Sequence, residues 1–146
     1  DAAGAVTRLL DMGVESFLIS SSVIGVLAQR LVRTICPECK EPYSPDDALA
    51  EGLGLSEHGE ELRLYRGAGC EYCRFTGYRG RTAIFELMRM TDRIRELTLD
   101  RRPATEIKKC ARAEGMNTLR EAGWQKAVDG ITTVEEVLRV TEDEGP

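Results

Sequence analysis

Two cysteine pairs of equal spacing, CPEC at residues 36–39 and CEYC at residues 70–73, constrain this chain more than any other feature. A Cys-x-x-Cys pair on a tight turn puts two sulfurs on one side of the backbone. Two such knuckles facing each other supply four thiolates in a tetrahedron, the geometry of a closed structural zinc site. The spacing points to Cys36, Cys39, Cys70 and Cys73 as the ligands of one metal ion. Zinc is the first candidate, and iron suits the same thiolates. Pro37 stiffens the first knuckle, while Gly69 and Gly77 let the backbone turn around the second. Two disulfides would require an oxidising compartment, and no targeting segment points to one. A thioredoxin-like site would use one pair in a βαβ setting. The fifth cysteine, Cys110, lies three residues from Ile107 on a helical apolar face and reads as a small core residue.

The 146 residues suffice for one compact domain or two small ones, and 42% hydrophobic with 31% charged residues is an ordinary soluble balance. With one Trp, four Tyr and three Phe, the core must lean on Leu, Ile, Val and Ala. A net charge of -5 argues against a dedicated nucleic-acid binder, which shows a basic excess. The longest apolar stretch, FLISSSVIGVLAQRLV, is broken by three serines and then Gln29 and Arg30, too polar to span a bilayer. The chain lacks a start methionine and opens on a helix-like pattern, as an excised piece of a longer protein would.

Residues 1–34 read as mostly helical. Val6, Leu9 and Leu10 share a helical face that Gly13 ends, and a second helix is expected from Ser21 or Ser22 through Ile24, Leu27 and Leu31. Residues 35–90 are loop-rich, with seven of the fourteen glycines and three of the five prolines. SPDDALAEGLG predicts one short helix capped by Ser44, and ELRLYRG and GYRGRTAIFELMRM predict strands. Residues 91–146 are helical again, with Thr91 or Asp92 as a cap, Pro103 in a first turn and Gly115 as a stop. Thr118 with Glu121, and Thr133 with Glu136, fit the capping-box spacing. Val134, Val137 and Leu138 form the stripe of the last helix, and TEDEGP is a solvated tail. The fold class is α+β, with short antiparallel strands in the cysteine region and helices after it.

A tetrathiolate zinc centre carries a formal charge of about -2, which N–H donors and cations must offset. Lys40, Arg66, Arg74, Arg79 and Arg81 surround the pairs in sequence; they balance that charge or, for Arg79 and Arg81, form a docking surface for an acidic partner. His58, the one histidine, reads as a loop residue, so acid–base chemistry has little to work with. No GxxxxGK[ST] sequence occurs, so no phosphate-cradling loop and no catalytic residues are assigned.

The stretch DAAGAVTRLLDMGVESFLISSSVIGVLAQRLVRTICPECKEPY, then GCEYCRFTGYRGRTAIFEL and GITTVEEVLRV, resembles the C-terminal portion of the bacterial secretion and pilus-assembly ATPases, the GspE/PilB family. The likeness covers nearly the whole chain and is weakest between Pro45 and Leu62. AQRLVR, CPECK, the second pair, GYRGR and TLRE all occur in the family's order. The wording LVRTICPECKEPY and GITTVEEVLRVT leans toward GspE of type II secretion, while Phe75 stands where a small or polar residue is commoner. The resemblance implies a homo-hexameric P-loop ATPase working in the cytoplasm, with ATP and Mg²⁺ bound upstream of this chain. Its expected partners are inner-membrane components of the machine, with no nucleic acid and only indirect contact with the membrane. It implies three parts: residues 1–34 as the helical end of a RecA-like core, 35–90 as a tetracysteine zinc subdomain, and 91–146 as a C-terminal helical bundle. Gln29 and Arg30 would then lie near the nucleotide or a subunit boundary. The alternatives are a PilB-like pilus ATPase and a free-standing zinc-knuckle module, although the knuckles lack the repeated Cys-x-x-Cys-x-Gly-x-Gly units of chaperone zinc repeats.

Overall fold

A computed structural model describes residues 1–46 and 63–141. The helix expected at SPDDALAEGLG falls largely outside these residues, as does His58. In chain order the elements are α1 (Ala2–Asp11), α2 (Ser16–Ser22), β1 (Gly25–Ile35), β2 (Lys40–Tyr43), β3 (Leu64–Gly67), a one-turn 3₁₀ segment (Glu71–Cys73), β4 (Tyr78–Arg89), α3 (Asp92–Leu99), α4 (Ala104–Ala113), α5 (Leu119–Val128) and α6 (Val134–Val140). The fold is α+β: six α-helices with two two-stranded sheets, β1–β4 and β2–β3, among the described residues. No helix among them is long and apolar enough to cross a membrane.

The helix expected from Ser21 to Leu31 is not formed. The chain leaves α2 at Ser22 and runs as strand from Gly25 to Ile35. Ile24, Leu27 and Leu31 satisfy a helical period, but the segment is equally rich in residues that favour strands (Val23, Ile24, Val26, Val32, Thr34, Ile35). The strand resolves the ambiguity by burying Val32 and partly covering Val26 and Ala28, leaving Ile24, Leu27 and Leu31 exposed.

Two compact units result, and each takes two separate stretches of chain: residues 1–29 with 85–119, and residues 30–84 with 120–146. The helices after residue 90 divide, α3 and α4 belonging to the first unit and α5 and α6 to the second.

Apolar burial explains the first unit. Ala2, Ala3, Val6 and Leu10 of α1 and Ile19 of α2 share a core with Met88, Met90, Ile94, Ile107, Ala111 and Met116. Asp1 caps α1 by accepting from the Gly4 N–H at 2.7 Å, and Thr91 caps α3 by accepting from Ile94. Pro103 precedes α4, and Gly115 ends that region at φ 95°. Cys110 packs half-buried against this core, as expected, and burial pushes its thiol pKa up. Glu86 is fully buried on β4. One of its carboxylate oxygens accepts from the Ala2 N–H (2.7 Å) and the other from the Leu119 N–H (3.3 Å), at the starts of α1 and α5. A carboxylate there meets unpaired N–H groups and the positive ends of two helix dipoles.

In the second unit β2 and β3 pair antiparallel, Lys40 opposite Gly67 and Tyr43 opposite Leu64. Glu41 and Arg66, directly opposed, form a 2.8 Å ion pair. Leu64, Ala127 and Val134 form the apolar centre, with Tyr43, Trp124 and Val128 against it. The segment before α6 is stitched to β1. The Ile35 N–H donates to the Ile131 carbonyl (3.0 Å), and the Thr132 hydroxyl donates to the Arg33 carbonyl (2.7 Å). Glu136 accepts from the Arg33 backbone N–H (2.9 Å) and guanidinium (2.6 Å), and from Arg139 (2.8 and 2.9 Å). The capping box expected of Thr133 and Glu136 is half formed. Thr133 accepts from the Glu136 N–H, but the carboxylate faces the two arginines.

Candidate metal centre

Both knuckles take their shape from short backbone bonds. The Cys39 N–H donates to the Cys36 carbonyl at 3.4 Å, and the Cys36 N–H to the Gly77 carbonyl at 2.9 Å, joining the first knuckle to the chain after the second. In the second, Phe75 N–H donates to Cys70 O (2.8 Å) and Thr76 N–H to Cys73 O (3.2 Å). Gly77 holds φ 77°, and its backbone lies so close to Gly67 that a Cβ on either residue would overlap the other. Glycine at both positions lets β3 pass against the second knuckle.

These turns bring the four sulfurs within 4.8 Å of one another. Cys36 and Cys70 are 3.9 Å apart; Cys39–Cys73 and Cys70–Cys73 are 3.8 Å. A tetrahedral ion with metal–sulfur bonds of about 2.3 Å requires sulfur separations of about 3.8 Å. The cluster fits such an ion. Backbone N–H groups also aim at the sulfurs: Gly69 at Cys39 (3.3 Å), and Cys70 (3.3 Å) and Gly77 (3.2 Å) at Cys73. Burial pushes the Cys73 thiol up, but the Cys70 and Gly77 donors outweigh it and hold its pKa at about 6. Cys39 is pushed up to about 12, mainly by burial. Four clustered soft donors, with N–H groups directed at two of them, can hold a thiophilic metal.

The other expected site residues lie apart from this cluster or are engaged. Gln29 and Arg30 are exposed on strand β1 rather than on a helix. Arg79 is stacked on Tyr72, 3.8 Å from the ring centroid, and donates to the Tyr72 carbonyl at 2.8 Å. It braces the second knuckle. Lys40 stacks on Tyr65 and Arg66 pairs with Glu41, whereas Arg74 and Arg81 are exposed. Sequence reasoning passed over Glu86, Arg33 and the ionic role of Glu136. Glu86 had a signal: it stands between Ile84 and Met88 on the inward face of an alternating strand.

A family profile described as "Type II/IV secretion system protein" matches residues 1–139. The chain is 55% identical over 142 residues to the type IV pilus assembly ATPase PilB of Thermus thermophilus, covering 97% of this chain and 16% of the relative. It is 50% identical over 143 residues to the type II secretion system protein E of Pseudomonas aeruginosa, and 51% over 142 residues to the type II secretion system ATPase E of Vibrio cholerae. Those alignments cover 98% and 97% of this chain, and 28% of each relative. The chain thus spans well under a third of the length of these relatives. The match over residues 1–139 takes in both cysteine pairs and the segment stitched to β1, and the chain belongs to the type II/IV secretion system protein family.

Proposed function

We propose that this chain is the metal-bearing part of a secretion ATPase of the type II kind, whose full-length form uses ATP hydrolysis to drive protein export. The observation that carries this reading is family membership across residues 1–139, with about half the residues identical to type II secretion proteins. In this reading Cys36, Cys39, Cys70 and Cys73 hold one zinc. The ion supplies structure rather than chemistry. Strands of four residues each bury little apolar area, and a four-thiolate centre takes the place of a core.

The phosphate-binding loop, ATP and Mg²⁺ belong to sequence beyond these residues, because phosphoryl transfer needs a phosphate cradle and the 146 residues hold no GxxxxGK[ST] sequence. This stretch alone is inactive. Residues 1–34 act as the end of a RecA-like core, 35–90 as the zinc subdomain and 91–146 as the C-terminal helices. In the homo-hexamer Gln29 and Arg30 lie near the nucleotide or a subunit boundary. The protein works in the cytoplasm and reaches the membrane through inner-membrane components, toward which Arg81 is the freer of the two arginines first assigned to docking. Identity of 55% to a pilus assembly ATPase keeps a PilB-like role as the second reading.

Two measurements test this. Purified full-length protein should contain one zinc per chain and hydrolyse ATP, whereas residues 1–146 should not; iron in place of zinc overturns the metal assignment. A strain lacking the gene should lose secreted proteins and keep its surface pili. Loss of pili with secretion intact would overturn the type II reading in favour of the pilus one.

A further inference from the structure

The tip of the second knuckle carries two side chains on backbone that suits glycine. Arg74 has φ 54° and Phe75 has φ 61°. This left-handed region is costly for a residue with a Cβ, and a bulky aromatic there is an outlier. The turn imposes it, through the bonds from Arg74 N–H to Glu71 O (3.0 Å) and from Phe75 N–H to Cys70 O. Glycine would make the same turn without strain. Yet neither side chain is taken up among the described residues. Phe75 is 74% exposed, Arg74 is exposed, and among the described residues no carboxylate pairs with Arg74. Tyr72, on the same knuckle, is also exposed and carries the guanidinium of Arg79 over its ring. A strained and solvent-facing feature that the described residues do not use is a pointer to a role outside them.

Charge indicates what the tip meets. Residues 63–84 hold five arginines and one acidic residue, Glu71, within a chain of net charge -5. A tetrathiolate zinc centre offsets about two of those positive charges. The knuckle stays cationic while the remainder of the chain is more acidic than the whole. We propose that the tip formed by Tyr72, Arg74, Phe75 and Arg79 is a docking surface for an acidic segment of a partner protein, with Phe75 covered by an apolar side chain of that segment. The proposal rests on the metal-centre reading, because the metal would hold the strained turn in place. A narrow acidic segment can engage the tip alone. A broad anionic lipid surface is disfavoured by the net charge of -5 that the whole chain carries.

The test uses the full-length protein in cells, with a photo-crosslinking phenylalanine analogue at position 75 and sequencing of whatever it captures. The expected product is an Asp/Glu-rich stretch of a different protein. A synthetic peptide of that stretch should bind the purified full-length protein, about tenfold or more weaker after Phe75→Gly or Arg74→Gly. Both variants should keep their metal and denature at the same temperature or higher, because glycine relieves the strain. Crosslinks to lipid alone, to another copy of this chain alone, or to nothing overturn the proposal. So does a Phe75→Gly protein that binds the peptide as tightly as the parent, or one that loses metal or melts lower, since the ring would then be structural. Metal content of the parent is measured separately. A metal-free parent sinks the zinc reading, while the crosslink still decides docking.

Discussion

Replacing Glu136 by Gln removes a charge and leaves the shape of the side chain. Glu136 is 1% exposed and accepts four hydrogen bonds, three from guanidinium nitrogens and one from the Arg33 backbone N–H. Burial pushes its carboxyl pKa up, but the bonds from Arg139 and Arg33 outweigh burial and bring it from 4.5 down to about 2. At about 1.4 kcal/mol per pH unit, that difference is worth about 3 kcal/mol of folding stability. Its partners are half exposed, at 46% for Arg33 and 56% for Arg139, so solvent screening trims the figure to about 2 kcal/mol. The folded pKa lies below the unfolded one. The stabilisation is therefore complete above about pH 4.5 and is lost as pH falls through about 2. Urea denaturation followed by circular dichroism, at equal metal load, should show Glu136→Gln destabilised by about 2 kcal/mol and by the same amount from about pH 6 to pH 8. A loss under about 0.5 kcal/mol, or one that changes across that pH range, would refute the reasoning.

Three further substitutions test other parts of the structure. Cys70→Ser should abolish metal binding, measured by elemental analysis, and leave much of the helical dichroism, while Cys110→Ala should keep the full metal content. Gly67→Ala puts a methyl group into the Gly77 backbone and should destabilise the knuckle by about 1–3 kcal/mol, read as metal released to a chelator at lower denaturant than from the parent. Glu86→Gln turns an amide donor toward one of the two N–H groups the carboxylate now satisfies. It should cost about 1–3 kcal/mol in thermal unfolding, and an unchanged melting temperature would show that neither bond matters.

The cysteine cluster was legible in the sequence because its geometry is local. Each Cys-x-x-Cys makes its own turn, and only the meeting of two turns is a tertiary event. The strand β4 and the caps at Thr91 and Thr133 were legible for the same reason. Residues 23–35 were misjudged because their apolar positions satisfy the helical and the strand period together, and the choice is made by what Val32 can bury against. Glu136 was read as a partner for its own helix terminus. Its actual partner Arg33 lies 103 residues away, a distance no local pattern encodes. The division into two units was invisible for a related reason, since each core joins stretches that are remote in the chain. The GITTVEEVLRV and AQRLVR wordings that mark the family meet where Thr132 and Glu136 hold Arg33, so part of what looked like a signature is the fastening between two remote stretches.

The pairing of Tyr43 with Leu64 closes β2 against β3 and brings together the two ends of the twenty residues between them. For a flexible connection between fixed ends, the entropic cost of closure grows only with the logarithm of its length, and doubling the length costs about 0.6 kcal/mol. The β2–β3 pairing therefore tolerates a change in the number of residues that join Tyr43 to Leu64 at little cost in closure. For the engineer that connection is the place to splice in a fluorescent reporter or an affinity tag, with retention of the cysteine cluster as the outcome to check.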